Sequence, residues 1–149
     1  MAQEVDSITQ DILDDYVARL IQHHQKLSVK ETPDKPSAYA LKHPVGEILV
    51  QYTSSDFAEP ENTGGNYQGA PLVDRPQRRR VNIQLTLVLR SLKGANGTTA
   101  TLDQVRNSLK KFRPRHCLTQ VYFLGEGFIS EKQGIWQYGL RTAVELWEK

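Results

Sequence analysis

Residues 80–90, "RVNIQLTLVLR", constrain this chain more than any other stretch. Val81, Ile83, Leu85, Leu87 and Leu89 alternate with Arg80, Asn82, Gln84, Thr86 and Arg90, and Val88 is the only apolar member of the second set. A period of two over this length is that of a strand with one face in a core and the other toward water. Burying the five apolar side chains contributes about 7–15 kcal/mol gross, an upper bound because an unfolded chain already buries some of that surface. A slip of one residue would turn all five outward, so the register is firmly set.

The rest of the chain supplies cover for this strand. Residues 4–27, "EVDSITQDILDDYVARLIQHHQKL", repeat apolar residues with helical period at Val5, Ile8, Ile12, Tyr16 and Leu20, widened by Leu13, Val17 and Ile21. Asp6 or Ser7 is the expected cap. Asp11, Asp14 and Asp15 fall outside the stripe and read as a solvated face near the favourable end of the helix dipole. Pro33, Pro36, Pro44 and Gly46 interrupt regular structure before "EILVQY" (47–52), whose continuous apolar run fits a central strand. A second helix is expected after Gly97, capped by Thr101 with Gln104 in a capping box. Leu102, Val105, Leu109 and Phe112 form its buried stripe, and Pro114 is its expected stop. Two strands follow around "SEKQG". In the last, Trp136, Tyr138, Leu140, Val144 and Leu146 share a face, with Thr142 between them. On that reading Trp136 is a core residue, and Trp136→Ala costs about 3–5 kcal/mol.

The expected fold is therefore α+β: a mainly antiparallel four-stranded sheet, five-stranded if a short strand forms near Leu27 to Val29, with two helices packed on one face. The 149 residues fit one domain. Its irregular feature is 53–77, a stretch with three prolines, three glycines and little periodicity. Its length exceeds an ordinary connection. A hairpin arm that orders on assembly fits better than a linker, since neither flank is large enough to be a domain alone. Its apolar content is too low to offset the entropy of fixing it in a free subunit.

Composition narrows the chemistry. Nineteen basic residues against seventeen acidic ones give a net charge of +2, so no global field advertises a polyanion partner. The single cysteine, Cys117, excludes an intrachain disulfide and fits a reducing compartment. The start "MAQEVDSITQ" lacks the basic and apolar regions of a signal peptide, and no apolar stretch approaches a membrane span. His23 and His24 are adjacent on a helix and point apart. His43 and His116 lie in loops near prolines and read as solvated. Cys117 follows His116 directly, and neighbours in an extended chain face opposite ways, so they make no catalytic pair. "GANG" and "TGGNYQG" lack the lysine and spacing of a phosphate loop. Glu126 and Glu131 flank a turn without marking a cleft. No catalytic residues, cofactor or metal are expected.

One local charge cluster remains. Arg75, Arg78, Arg79 and Arg80 put four guanidinium groups within six residues. A solvated strand end, a protein contact and a polynucleotide contact all fit such a cluster. A single-strand site would interleave aromatics for stacking, but the nearest is Tyr67, and the polar face of the strand shows Asn, Gln and Thr. Arginine also pairs bidentately with carboxylates across protein interfaces. Of the two functional uses, protein contact fits better. Candidate acceptors are Asp11, Asp14, Asp15, Glu59 and Glu61, which in a ring would belong to a neighbouring subunit. Arg75, Arg78, Arg79, Arg80, Phe57, Tyr67, Asp14 and Asp15 are the expected assembly residues.

These stretches also carry a resemblance. "HPVGEILVQYTSSDF", "RRVNIQLTLVLRSLKGANGTTATLDQVRNSLKKFRPRHC" and "FISEKQGIWQYGLRT", together most of residues 43–142, resemble minor tail proteins of Mu-like and related contractile-tailed phages. The shared features are the Gln-Tyr strand end before Phe57, the Leu-Lys-Gly turn, the Leu-Asp-x-Val-Arg helix, the Phe-x-Pro stop and the Gly-x-Trp-x-Tyr strand. That family is similar to the tail terminators. The resemblance implies a non-enzymatic virion protein, assembled in the host cytoplasm, that forms a hexameric ring at the neck-proximal end of the tail. It would cap the tail tube protein and the tail sheath protein and join them to the head connector or neck protein. A small nucleic-acid-binding module using residues 75–80 is the alternative, and a steep loss of DNA retention with salt would mark it.

Overall fold

The computed structural model describes residues 7–34, 39–60 and 76–148. Its elements run α1 (Ser7–His23), β1 (Ser28–Glu31), β2 (Gly46–Phe57), β3 (Gln77–Leu89), α2 (Thr98–Leu109), β4 (Tyr122–Lys132) and β5 (Ile135–Glu148). The fold is α+β, with five strands in the order β1-β2-β3-β5-β4. β1 runs parallel to β2, and every other pairing is antiparallel. The short strand expected near Leu27 is β1.

The alternation in β3 sets the layers. Val81, Ile83, Leu85, Leu87 and Leu89 are all buried on the inner face. Their partners Ile48 and Val50 on β2, and Leu140 and Val144 on β5, lie on the same side. α1 packs over β1 and β2, while α2 packs over β3 and β5. Ile12, Leu13, Tyr16 and Leu20 from α1 join Leu102, Val105 and Leu109 from α2 in the core. Ile8 and Ile21, counted in the α1 stripe from the sequence, are exposed instead. They lie to the sides of the buried stripe, about 80° and 140° around the helix from Tyr16, whereas Thr9 and His24 near the same two ends are buried.

One polar bridge crosses the core. The Thr142 hydroxyl on β5 donates to the Ile83 carbonyl at 2.9 Å, which commits its only hydrogen. Tyr16 Oη on α1 must then donate to Thr142 Oγ1, 2.8 Å away. Burial pushes the Tyr16 phenol well above its ordinary pKa, so it stays a donor.

Three expectations are corrected. Residues 53–57 belong to strand β2, because Ser54, Ser55, Asp56 and Phe57 pair with Asn82, Val81, Arg80 and Arg79 after a bulge at Tyr52/Ser54. The connection from β2 to β3 thus runs over 58–76. Its residues 61–75, with Arg75, Tyr67 and Glu61, lie outside the described residues. Helix α2 begins at Thr98 rather than after Thr101, and its N-cap is Gly97, with no side-chain cap. The Thr101 hydroxyl bonds back to the Gly97 carbonyl at 2.8 Å. The helix ends at Lys110, ahead of Pro114, because Lys111 takes a left-handed φ of 62°.

The final hairpin turns on Gln133 and Gly134, both at positive φ, the pattern of a type I′ turn. The face assigned to β5 is the one observed, since Trp136, Tyr138 and Leu140 pair with Leu89, Leu87 and Leu85. Trp136, however, is only half-buried and outside the core cluster. It is not the core residue expected, and truncating it forfeits less than a fully buried tryptophan would.

Candidate assembly surface

The arginine cluster sits where β3 leaves the body of the sheet. Alternation sends Arg78 and Arg80 to the outer face and Arg79 to the inner one. Arg78 Nε donates to Glu145 Oε1 at 2.9 Å, and its guanidinium lies 5.2 Å from the Trp147 ring centroid. Arg79 donates to the hydroxyls of Ser55 and Thr9, lies 3.6 Å from Glu148, and stands over the Phe57 ring. Arg80 reaches Asp56 at 2.7 Å. All three guanidinium groups thus have carboxylates within the same chain. Those carboxylates come from the facing strands and not from the acids expected of a neighbouring subunit.

These partners hold their charge. The Asn82 amide, followed by Arg80, keeps Asp56 below the ordinary carboxylate range. Tyr122 and then Arg78 do the same for Glu145. Burial and the bond to Glu145 push the Tyr122 phenol up to about 12.

Asp11 and Asp15 face the loop after α2. Asp15 takes the backbone N–H and guanidinium of Arg115, and His116 Nε2 donates to Asp11 at 2.9 Å. The solvated face read from sequence is in part a clamp between α1 and residues 115–116. His116, expected to be free, has an acidic partner. Asp14 is exposed and accepts from Gln10. Exposed pairs of this kind contribute only about 0–1 kcal/mol each.

Two other histidines also have local structural partners. His43 Nδ1 accepts from the amides of Val45 and Gly46 at the entry to β2. The Ser108 hydroxyl is committed to the Val105 carbonyl, so the buried His24 donates to it through Nε2. Cys117 is buried, as expected, and its thiol is pushed up to about 12 by that burial. Among the described residues no group of three or more His, Cys, Asp or Glu is placed to hold a metal ion. No helix among them is long and apolar enough to cross a membrane.

Burial lowers the pKa of His24 below 6.5, because the folded protein resists charging it. The unfolded chain therefore binds this proton first. Stability should hold above pH 6.5 and fall as pH drops through the depressed folded value. Glu47, Glu145, Asp11 and Asp56 also have lowered values, so a second loss follows below their ordinary 4.5 and 3.8. Thermal unfolding across pH checks this: His24→Gln, which retains a donor for Ser108, should abolish the first loss and keep the second. An unchanged first loss would assign it to another group.

The surface that sequence reading missed is β4. No residue of this edge strand is buried. Bulges at Leu124 and Ile129 add an extra residue on each side of the Gly-Glu-Gly segment. Leu124, Phe128 and Ile129 are all exposed, Phe128 at 57%. Phe128 meets Trp136 and Tyr138 edge to face, with centroids 6.1 and 5.7 Å away. This leaves an apolar, partly aromatic edge beside the helical layer. Adjacent apolar pairs in "YFLGEGFI" were the available signal, since neighbours in a strand cannot both enter one core.

Together these observations define a two-layer α+β domain with one apolar sheet edge and a charged hairpin root. The chain belongs to the Gp37 protein family, which matches over residues 16–148. No curated protein matches it. Among solved structures it is similar to a chain described as "Virion of native gene transfer agent (GTA) particle", with a TM-score of 0.49 and 12% identity, covering 89% of this chain and 84% of that one.

Proposed function

We propose that this chain is a structural virion subunit that assembles as a ring and caps the tail tube and sheath, as a tail terminator does. The observation that carries the assembly reading is the β4 edge. An edge strand that exposes Phe128 on one face and Leu124 and Ile129 on the other is an aggregation hazard unless another protein covers it. The terminator assignment adds the likeness of residues 43–142 to phage minor tail proteins. A second patch, Phe57 with Arg79 over its ring, lies at the opposite end of the sheet. Two distinct patches suit a heterologous contact that closes around an axis. Capping follows if the ring covers the growing edge of the tube. In this reading the nucleic-acid alternative loses support, because Arg78, Arg79 and Arg80 already have carboxylates in the chain.

The test is Phe128→Asp. Phe128 is more than half exposed but meets two rings edge to face, so the variant should lose about 1–3 kcal/mol and stay folded. It should remain a monomer in sizing and form no rings in negative stain. Rings and capped tails of normal length from this variant would remove β4 from the interface. Salt-sensitive DNA retention by the parent would favour the alternative.

A further inference from the structure

We propose that the outer face of the sheet around Arg141 docks an extended, carboxylate-bearing segment of a partner protein. This rests on the assembly reading and names the chemistry of one contact. Arg141 lies on β5, an interior strand, between Gln84 of β3 and Gly125 of β4. Arg78, Arg79, Arg80, Arg106 and Arg115 each hold a carboxylate of this chain. Arg141 has none within ion-pair distance among the described residues. Its guanidinium lies across Gly125, with Nη2 only 2.5 Å from where a Cβ would stand. The missing side chain at 125 is what seats it there.

Beside it is an open cavity of about 390 Å³ that also exposes Asn82, Asp56 and Leu124. The Asn82 amide nitrogen donates to Ser54 and Asp56 at 3.0 and 2.9 Å, which fixes the orientation of the group. Its Oδ1 has no hydrogen-bond partner among the described residues and is covered, so a ligand donor reaches it only when the side chains over it shift. The Asp56 carboxylate lies in the same cavity, but Arg80 and Asn82 compensate its charge.

The site therefore offers a guanidinium fork, one acceptor that needs an N–H, and an apolar rim at Leu124. A peptide supplies all three complements: a carboxylate for Arg141, a backbone amide for Asn82 and a side chain for Leu124. Gly127 leaves open space near the site, whereas the Ile129 and Gln84 side chains cover its partner Gly139. A phosphodiester group brings no N–H for Asn82.

The probes are acetyl-Thr-Glu-Val-Glu-Thr-amide, its Gln counterpart, and an eight-residue oligothymidine, each titrated into the full chain while the arginine Nε–H signals are followed by NMR. The acidic peptide should shift the Arg141 signal, and the Gln peptide should bind about tenfold more weakly, the effect of losing one charged hydrogen-bonded pair. Arg141→Gln should match that loss. So should Gly125→Ala, whose methyl displaces only the mobile end of Arg141 and leaves the fold intact, so it carries the test if Arg141→Gln unfolds. Equal binding of the two peptides, shifts confined to Arg78 and Arg80, or oligothymidine as the ligand that moves Arg141 would each overturn the site. Negative-stain imaging of the parent separates the two readings. Rings without peptide binding overturn only the docking site, whereas peptide binding without rings upholds it and removes the ring.

Discussion

Leu85→Ala should cost about 2–5 kcal/mol, the range for a large side chain removed from a packed core. Leu85 is fully buried at the middle of β3, paired with Val50 on one side and Leu140 on the other. Strands flank it on both sides and helices lie above, so the walls of the new cavity have little freedom to collapse. For a domain of this size, each kcal/mol lowers the unfolding temperature by about 2–4 °C. Urea unfolding with an unchanged slope and a lowered midpoint is the expected signature. A cost below about 1 kcal/mol would mean that the centre of the core repacks freely.

Gly97→Ala should cost about 1–3 kcal/mol although it adds one methyl group at a helix end. The φ of Gly97 is −83°, so backbone strain is not the cause. The cause is close approach: a Cβ there would stand 2.7 Å from the Leu92 carbonyl oxygen and closer still to that of Lys93. Both are backbone atoms, so the whole 91–97 turn must move. That turn is tied to the start of α2 by the Thr98 amide and hydroxyl, both donating to the Ser91 carbonyl at 3.0 and 2.9 Å. Gly127→Ala is the control, since a methyl there meets open space. Equal unfolding midpoints for the two variants would show that the turn yields without loss.

The sheet and its core were readable because their signals are periodic. The alternation in β3 and β5 and the helical spacing of Ile12, Tyr16 and Leu20 each encode one buried face, and the structure buries those faces. Bulges broke the pattern elsewhere. β4 carries two, so its apolar residues fall on both faces and no single period describes them. The end of β2 was lost for a related reason. Thr53 to Phe57 are polar or exposed, and their strand pairing is stabilised by contacts such as Arg80 to Asp56 rather than by a buried face. Helix α2 starts early because threonine hydroxyls bind the preceding turn, where a cap was expected. The arginine cluster was visible as a cluster, but its partners were not. Pairing Arg78 with Glu145 depends on a register between segments 67 residues apart. Arg141 gave no signal, because its meaning comes from the glycine beside it in space.

The bond between Tyr16 and Thr142 joins residues 126 positions apart. The strand that carries Thr142 is also inserted between β3 and β4, although it follows both in sequence. During synthesis, the apolar stripe of α1 therefore leaves the ribosome long before its last partner exists. At about 5–20 residues per second, the wait is about 6 to 25 seconds. Once β3 is made, later in that interval, it has only β2 as a neighbour until β5 follows, and its other edge is open to any strand nearby. Completion of β5 closes that edge and supplies the acceptor for Tyr16 in the same event. The nascent chain is thus most prone to mispairing just before its own closing strand arrives, and holdase chaperones would act on it in that window.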